Sequence, residues 1–262
     1  GKIFAAGQGA YFDDKSPKIW ALTNSGSLDT SFGNANGIFE HDDIAGGSAA
    51  DKIFGCLLDS EGRILISGQS WAGSGSGRHE AFVGRILSTG SIDLSFGING
   101  FYVTGNIGGG NNADLIGSLA TDSNGNIYAG GKSHSTFGHY MAFVQKLNSS
   151  GVLDTSFSDL GTLELVHSTD IYNISELKFS DNKLYFSGTR SGASTYGFIG
   201  KVDSLGEFDL SFGDDGLYIP DYLNGDQNQG FSSFGISNEG ILSACGSVFN
   251  GVDKDIFVHQ VE

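Results

Sequence analysis

A few side chains in this sequence could bind a metal ion. His134 and His139 lie five positions apart, and together with His79 they offer imidazole nitrogens of the kind that coordinate zinc. Isolated histidines in polar segments are usually bystanders, so the sequence predicts neither a metal site nor a cofactor. It also has no zinc-type cysteine spacing, no phosphate-binding glycine loop and no nucleophile elbow.

Acidic residues in Gly- and Asn-rich segments could supply the paired carboxylates of a glycosidase. They are Asp42, Asp43, Asp51, Asp114, Asp170, Asp221 and Asp226. A sialidase would need an arginine cluster, and only Arg78 and Arg190 fall in such segments. Because acidic loops are common, we predict that the protein is not an enzyme and keep a glycan-cleaving enzyme as an alternative.

Aromatic residues recur in similar segments, where a ring can stack on the C–H face of a sugar while nearby polar groups bind its hydroxyls. The predicted ligand-binding set is Trp71, Tyr11, Phe12, Phe137, Tyr140, Tyr196, Phe249, Arg78 and Arg190. Trp71 is the strongest candidate, because its Gly- and Ser-rich neighbours offer little for a buried tryptophan to pack against. The alternative is that these rings only cap their own structural units and that the loops are solvated linkers.

A repeated motif indicates the elements that position these residues. An apolar residue followed by Asp-x-Ser-Phe occurs at residues 28–32, 92–96, 153–157 and 208–212. A fixed period of about sixty residues indicates a supersecondary unit used several times. We predict a structural role, in which the Asp locks a turn through backbone N–H groups and the Phe packs between units. These motif residues are Asp29, Phe32, Asp93, Phe96, Asp154, Phe157, Asp209 and Phe212.

Each repeat contains four short runs rich in β-branched and aromatic residues, which we call strands a to d. In one repeat they are 53–58, 63–68, 81–87 and 100–104, separated by Gly, Asn, Asp or Ser. Four antiparallel strands per repeat make a propeller blade, so the sequence predicts an all-β protein, a single β-propeller domain over residues 1–262. Strands b and c occur five times, so we expect five blades, the first without strand a and the last without strand d. The alternative is a fragment of a larger ring, or a ring closed by strands that lie outside this sequence.

Loops b–c and d–a should emerge on one face of such a propeller, and the short a–b and c–d turns on the other. The b–c loops are 9–17, 70–79, 133–140, 190–196 and 247–254, and the d–a loops are 41–51, 104–114, 167–173 and 220–230. Variable loops on a fixed scaffold are the usual place for binding, so this loop face is the predicted site.

The repeat resembles the delta-60 repeat of bacterial secreted and surface proteins. The resemblance rests on residues 61–64 and 82–97 and on their counterparts at 143–157 and 198–212. It implies a β-propeller in a large exported protein and no catalytic residues. The chain departs from the pattern at Ser158, which replaces the motif Gly, and at His259–Gln260, where the second, third and fourth repeats have Arg or Lys before the apolar residue.

Composition narrows the range of partners. A net charge of −16 argues against binding to nucleic acid or to an anionic membrane surface, and no apolar run is long enough to span a bilayer. The chain opens within the repeat pattern, so we expect a piece of a longer exported protein. Cys56 and Cys245 lie in apolar runs and are expected to be buried free thiols, with a disulfide between them as the alternative.

Together these features predict a non-catalytic recognition or adhesion module of a bacterial surface protein, located outside the cell. It would bind a cell-surface glycan or protein through the loop face, without inserting into a membrane. A structural spacer is the alternative from another class.

Overall fold

The computed structural model describes residues 1–8, 16–34, 36–47, 51–73, 78–110, 113–166, 169–192, 194–220, 229–249 and 254–261. Regular structure in these residues is entirely β, with eighteen strands arranged in five antiparallel sheets. The described residues contain no helix that is long and apolar enough to cross a membrane. The predicted all-β propeller of antiparallel blades is therefore confirmed.

Each sheet is one blade, and its strands lie side by side in chain order. Blade 1 contains β1 Lys2–Gln8, β2 Pro17–Thr23 and β3 Ile38–Glu40. Blade 2 contains β4 Lys52–Leu58, β5 Ile64–Trp71, β6 His79–Ile86 and β7 Phe101–Thr104. Blade 3 contains β8 Leu115–Thr121, β9 Ile127–His134, β10 Tyr140–Leu147 and β11 Thr162–Leu165.

The last two blades repeat this pattern. Blade 4 contains β12 Ile171–Ser180, β13 Lys183–Ser191, β14 Thr195–Asp203 and β15 Leu217–Tyr218. Blade 5 contains β16 Gln229–Ile236, β17 Leu242–Phe249 and β18 Lys254–Val261. In the described residues, blade 1 has no strand a and blade 5 has no strand d, as the repeat pattern predicts.

The hydrophobic core lies between blades rather than inside any one of them. Leu65 and Val83 of blade 2, for example, belong to one buried cluster with Ile116, Ala129 and Phe143 of blade 3. Both faces of a central blade are covered, so its middle strands are almost continuously buried, as β5 and β6 of blade 2 are. Each fully buried Phe in these layers contributes about 1.5–3 kcal/mol through removal of its ring from water.

The motif aspartate joins the c–d turn to strand c through hydrogen bonds to both. Asp93 Oδ1 accepts hydrogen bonds from the backbone N–H and the hydroxyl of Ser95, at 3.1 and 2.6 Å, and Asp93 Oδ2 accepts one from Arg85 Nε at 2.7 Å. The same arrangement in blade 4, with the Ser211 hydroxyl and Lys201, lowers the pKa of Asp209 to about 2. These carboxylates therefore stay ionised in all but strongly acidic solution.

The motif phenylalanines of blades 1, 2 and 3 join each of these blades to the next, in a contact that we call the interblade latch. Phe32, Phe96 and Phe157 are fully buried. Phe96 lies beneath Gly151 in the c–d turn of blade 3, where an added β-carbon would come within 2.7 Å of the ring. Beside it, Gly97 N donates to the Ser150 carbonyl at 2.8 Å. The turn of one blade thus closes over the motif of the preceding blade.

The first strands of blades 2, 3 and 4 line a central cavity of about 540 Å³. Cys56 opens into this cavity and is exposed, so the expectation that it is buried is wrong; Cys245 is half-buried, and both are free thiols. One side of β4 packs on the core and the other lines the cavity, so an apolar run does not bury all of its residues. Although Cys56 is exposed to the cavity, the surrounding walls displace water from its thiol and raise the pKa of Cys56.

Candidate functional site

The b–c hairpin of blade 3 is the best-defined part of the loop face. Phe137 stands at its tip with 61% of its surface exposed, and its ring stacks on His139 with centroids 6.0 Å apart. The tip is a tight turn in which Gly138 N donates to the Ser135 carbonyl at 3.1 Å. Gly138 has φ of 85°, a conformation that glycine adopts without strain. The hairpin therefore presents an aromatic ring to solvent on a hydrogen-bonded support.

The preceding d–a loop braces this hairpin. Thr136 N donates to the Gly108 carbonyl at 3.1 Å, and Gly110 N donates to the His134 carbonyl at 2.9 Å. Gly108 N donates to the Ser133 hydroxyl at 2.8 Å. Because loops of two neighbouring blades share these bonds, the hairpin is fixed before any ligand arrives, which lowers the entropy cost of binding.

A buried aspartate lies just before the first strand of blades 2, 3 and 4, and in blades 2 and 3 it anchors the d–a loop. Asp114 is fully buried and accepts hydrogen bonds from the Ser133 hydroxyl and from Asn106 N. Burial raises the pKa of Asp114 above its ordinary value, and the Ser133 bond opposes that shift. Asp51 binds Ile44 N and Trp71 N, each at 3.1 Å. The sequence analysis missed this role, although a carboxylate immediately before each of β4, β8 and β12 was the available signal.

These contacts bear on the glycosidase alternative. Asp51, Asp114 and Asp170 face loop backbone or side-chain partners, whereas Asp42 and Asp43 are exposed. Asp221 and Asp226 lie outside the described residues. Asp51 and Asp114 thus hold loops, and Asp170 is paired with Arg190.

Trp71 is less exposed than the sequence predicts. Its ring packs edge-on against His79 with centroids 5.0 Å apart, and an added β-carbon on Gly47 would lie 2.6 Å from Trp71 Cδ1. Trp71 is therefore half-buried between its own hairpin and the d–a loop of blade 1, so the assumption that it has little to pack against is wrong. Phe137 is the more accessible ring.

Tyr140 and Arg190, two other predicted site residues, each contact a side chain of their own blade. Tyr140 packs edge-on against His134, with Lys132 Nζ 4.7 Å from its ring centre. Arg190 pairs with Asp170 at 2.6 Å.

Two further predicted residues occupy the same loop face. Tyr196 is half-buried and lies opposite Arg190 across β13 and β14. Arg78 reaches Glu80 at 3.5 Å. Both arginines on this face therefore have carboxylate partners.

Three predicted residues cannot be placed. Tyr11 and Phe12 lie outside the described residues, and for Phe249 only the backbone is described. The predicted site residues whose side chains are described all lie in blades 2, 3 and 4.

The three histidines considered as metal ligands have separate surroundings. His79 packs on Trp71, His134 on Tyr140 and His139 on Phe137. Burial lowers the pKa of His79. In the part of the chain that the structure describes, no three His, Cys, Asp or Glu residues are grouped as a metal site.

Comparison with known proteins agrees with the fold. Residues 123–157 match a family described as a β-propeller domain of unknown function, DUF5122. This match supports a β-propeller family, and the delta-60 name stays a resemblance. No curated protein matches the chain.

Several solved structures are similar to the whole chain. One is the periplasmic gluconolactonase of Pseudomonas aeruginosa, with 10% identity and a TM-score of 0.47, matching all of this chain and 68% of that one. Another is an engineered GH43 glycoside hydrolase, with 9% identity and a TM-score of 0.41. The match covers all of this chain and 48% of the hydrolase. The tail fibre of Staphylococcus aureus phage P68 is 13% identical with a TM-score of 0.29, over 99% of this chain and 52% of that one.

The prediction that the protein is not an enzyme is corrected by this comparison. The similar structures include a gluconolactonase and a glycoside hydrolase, so we withdraw the prediction that the protein has no catalytic activity. With identities near 10% and TM-scores below 0.5, the likeness assigns neither an activity nor a ligand to this chain.

Proposed function

We propose that this β-propeller is a recognition module that binds a cell-surface glycan through the loop face of blades 2, 3 and 4. We further propose that it serves adhesion as part of an exported bacterial surface protein. The observation that carries the proposal is Phe137, an exposed ring on a braced hairpin tip. A flat ring stacked on His139 suits the C–H face of a sugar.

Polar groups beside the ring support a sugar rather than a purely apolar ligand. Thr136 is exposed next to Phe137, and the neighbouring d–a loop offers Asn106 and backbone groups. Sugar hydroxyls can pair with such donors and acceptors while the ring supplies the apolar contact. A site of this kind needs no large deep pocket.

Charge favours an uncharged glycan. The chain carries a net charge of −16, and Arg78 and Arg190 on the loop face are already paired with Glu80 and Asp170. A sialylated or sulfated ligand would meet a repulsive field without a free guanidinium to bind it. We therefore expect neutral glycans to bind better than acidic ones.

An array of neutral and sialylated glycans tests the proposal with three proteins. We expect the unchanged chain to bind a subset of neutral glycans saturably and Phe137→Ala to bind them at least about tenfold more weakly, because the stacking ring is lost. Leu160→Ala is the matched control, since Leu160 is 73% exposed on the opposite face and its loss should leave binding unchanged. Equal binding by Phe137→Ala, or no binding by the unchanged chain, would contradict the proposal.

A further inference from the structure

The outer edge of blade 2 lies in a groove with a volume of about 850 Å³. The groove is lined by β7, by residues 41 and 43–45 in the d–a loop of blade 1, and by residues 151–153 in the c–d turn of blade 3. Phe101 of β7 packs in one cluster with blade 1, and Tyr102 packs in another with blade 3. β7, the outermost strand of its sheet, therefore lies between two walls supplied by the neighbouring blades.

The end of the groove nearest the c–d turns is apolar. Leu94, Ile98 and Val152 line it, and each of them is more than half exposed. Single exposed apolar side chains are common on protein surfaces, but a group of them along one groove is typical of a contact surface.

The backbone of β7 offers a place for another strand. Antiparallel pairing uses the N–H and C=O groups of alternate residues. Arg85 N donates to the Gly100 carbonyl at 3.0 Å, so Phe101 and Val103 direct their backbone groups away from β6. Phe101 N and its carbonyl are bonded to Ile98, at 3.1 and 2.8 Å. Among the described residues, the outward N–H and C=O of Val103 have no such partner.

The other outer strands are protected at this position, whereas that of blade 2 is not. Val103 lies opposite Phe82 of strand c, and the equivalent residues are Glu40 in blade 1 and Glu164 in blade 3, both exposed. In blade 4, the outer strand β15 has only two residues, and Pro220 follows it. Outward charges, prolines and short strands keep sheet edges from pairing with other chains. β7 has none of these features at Val103.

Charge indicates the chemistry of the partner. Asp43 and Glu80 line the loop-face end of the groove, and its described lining residues include no Lys or Arg. Asp43 is exposed and has no ion-pair partner among the described residues, and Glu80 is 3.5 Å from Arg78. A second copy of this chain, with its net charge of −16, would be repelled, whereas a basic segment would be attracted.

We propose that this groove binds an extended segment of a partner protein as an additional strand on β7. The segment runs antiparallel to β7 and pairs with the N–H and C=O of Val103. It begins with a Lys or Arg beside Asp43 and Glu80 and continues with apolar side chains on Ile98 and Val152. This site on the rim of blade 2 is separate from the glycan site at the hairpin of blade 3.

A phage-displayed library of random peptides of about ten residues, long enough to span the groove, tests the proposal on the complete chain. Peptides that also bind Val103→Glu are removed. We expect enrichment of peptides in which apolar residues at alternate positions follow a Lys or Arg. An enriched, labelled peptide should bind saturably in fluorescence anisotropy, and at least about tenfold more weakly to Val103→Glu, which copies the protected edges of blades 1 and 3.

Matched variants of the chain locate the contacts. Asp43→Asn should weaken binding about threefold through loss of charge, because Asn tolerates the φ of 58° at this position. Leu210→Glu is the control for Val103→Glu, since Leu210 is an exposed apolar residue of blade 4 outside the groove, and it should bind as the unchanged chain does. Circular dichroism should show the same fold for all three variants.

Changes in the peptide test strand pairing without altering the chain. Methylation of the backbone nitrogen that donates to the Val103 carbonyl should abolish binding, whereas methylation of an adjacent nitrogen, which points away from β7, should not. A scan of singly methylated peptides therefore identifies the pairing even if Val103→Glu fails to fold.

Several results would overturn the proposal. They are no enrichment of peptides that distinguish the chain from Val103→Glu, enriched peptides without a basic residue, equal loss of binding in Leu210→Glu, and a methylation scan in which no position matters. A dimer of the chain that Val103→Glu dissociates would also overturn it, because the partner would then be a second copy.

Discussion

Individual residues show how the same contact is rebuilt when one partner changes. The motif aspartates of blades 2, 3 and 4 pair with a cation on strand c, which is Arg85, Lys146 or Lys201. Blade 1 has Ala21 at that position, and Lys2 on the neighbouring β1 reaches Asp29 instead, at 2.8 Å. The sequence allowed us to predict the turn-locking aspartate but not its cation, because the cation lies eight residues earlier in blade 2 and on a different strand in blade 1.

Removal of the Asp93 carboxylate should destabilise the protein strongly. Arg85 keeps only 5% of its side chain exposed, so Asp93→Ala leaves an uncompensated buried charge. Breaking such a buried pair costs about 3 kcal/mol or more. Urea unfolding should show a clear fall in the midpoint, and a smaller fall for Asp29→Ala, whose Lys2 partner is 40% exposed. Equal losses in the two variants would contradict this account.

Glu176 should make part of the stability depend on pH. Burial alone would raise the pKa of Glu176, but hydrogen bonds from Ser233 and Phe234 N, together with Lys178, lower it below its ordinary 4.5. The folded pKa is below the unfolded one, so the contribution is complete above about pH 4.5 and is lost as pH falls through the folded pKa.

Glu176→Gln removes this titration. The variant should be less stable than the unchanged chain at neutral pH, and the difference between the two should narrow below about pH 4.5. Thermal unfolding across this pH range measures the difference, and a constant difference would show that Glu176 does not act through its charge.

At the scale of elements, strand and turn order followed from local residue types. The runs of β-branched and aromatic residues between Gly and Asn turns correspond to the observed strands, for instance β5 at Ile64–Trp71 where 63–68 was predicted. The loop packing could not be predicted in this way. Trp71 packs against Gly47 of the preceding d–a loop, and Cys56 on β4 is exposed because it lines the cavity between blades. Both contacts depend on how the blades are arranged in space.

The interblade latch should be measurable as a steric requirement for glycine. Gly151 has φ of 78° and lies over Phe96, whereas Gly62 has φ of 74° with open space around it. Gly62→Ala should cost about 1 kcal/mol from backbone strain alone. Gly151→Ala should cost about 3 kcal/mol, because Phe96 must also move. Chemical denaturation compares the two, and similar losses would argue against the latch.

At the scale of the whole molecule, the blades serve as supports for a loop face that differs from blade to blade. The opposite face repeats the Asp-x-Ser-Phe motif and joins neighbouring blades. The loop face carries the braced hairpin of blade 3, the half-buried Trp71 of blade 2 and the Arg190–Asp170 pair of blade 4. The sequence predicted that one face carries variable loops and the other the repeated turns. The structure identified Phe137 as the more accessible ring of the loop face.

Recognition on the loop face of blades 2 to 4 can be located by hydrogen–deuterium exchange. The complete chain is compared with and without the neutral glycan that gives the strongest array signal. We predict slower exchange in residues 133–140 and 104–110 on binding, with no change in the c–d turns. Protection confined to those turns or to the central channel, with the loop face unaffected, would contradict the claim.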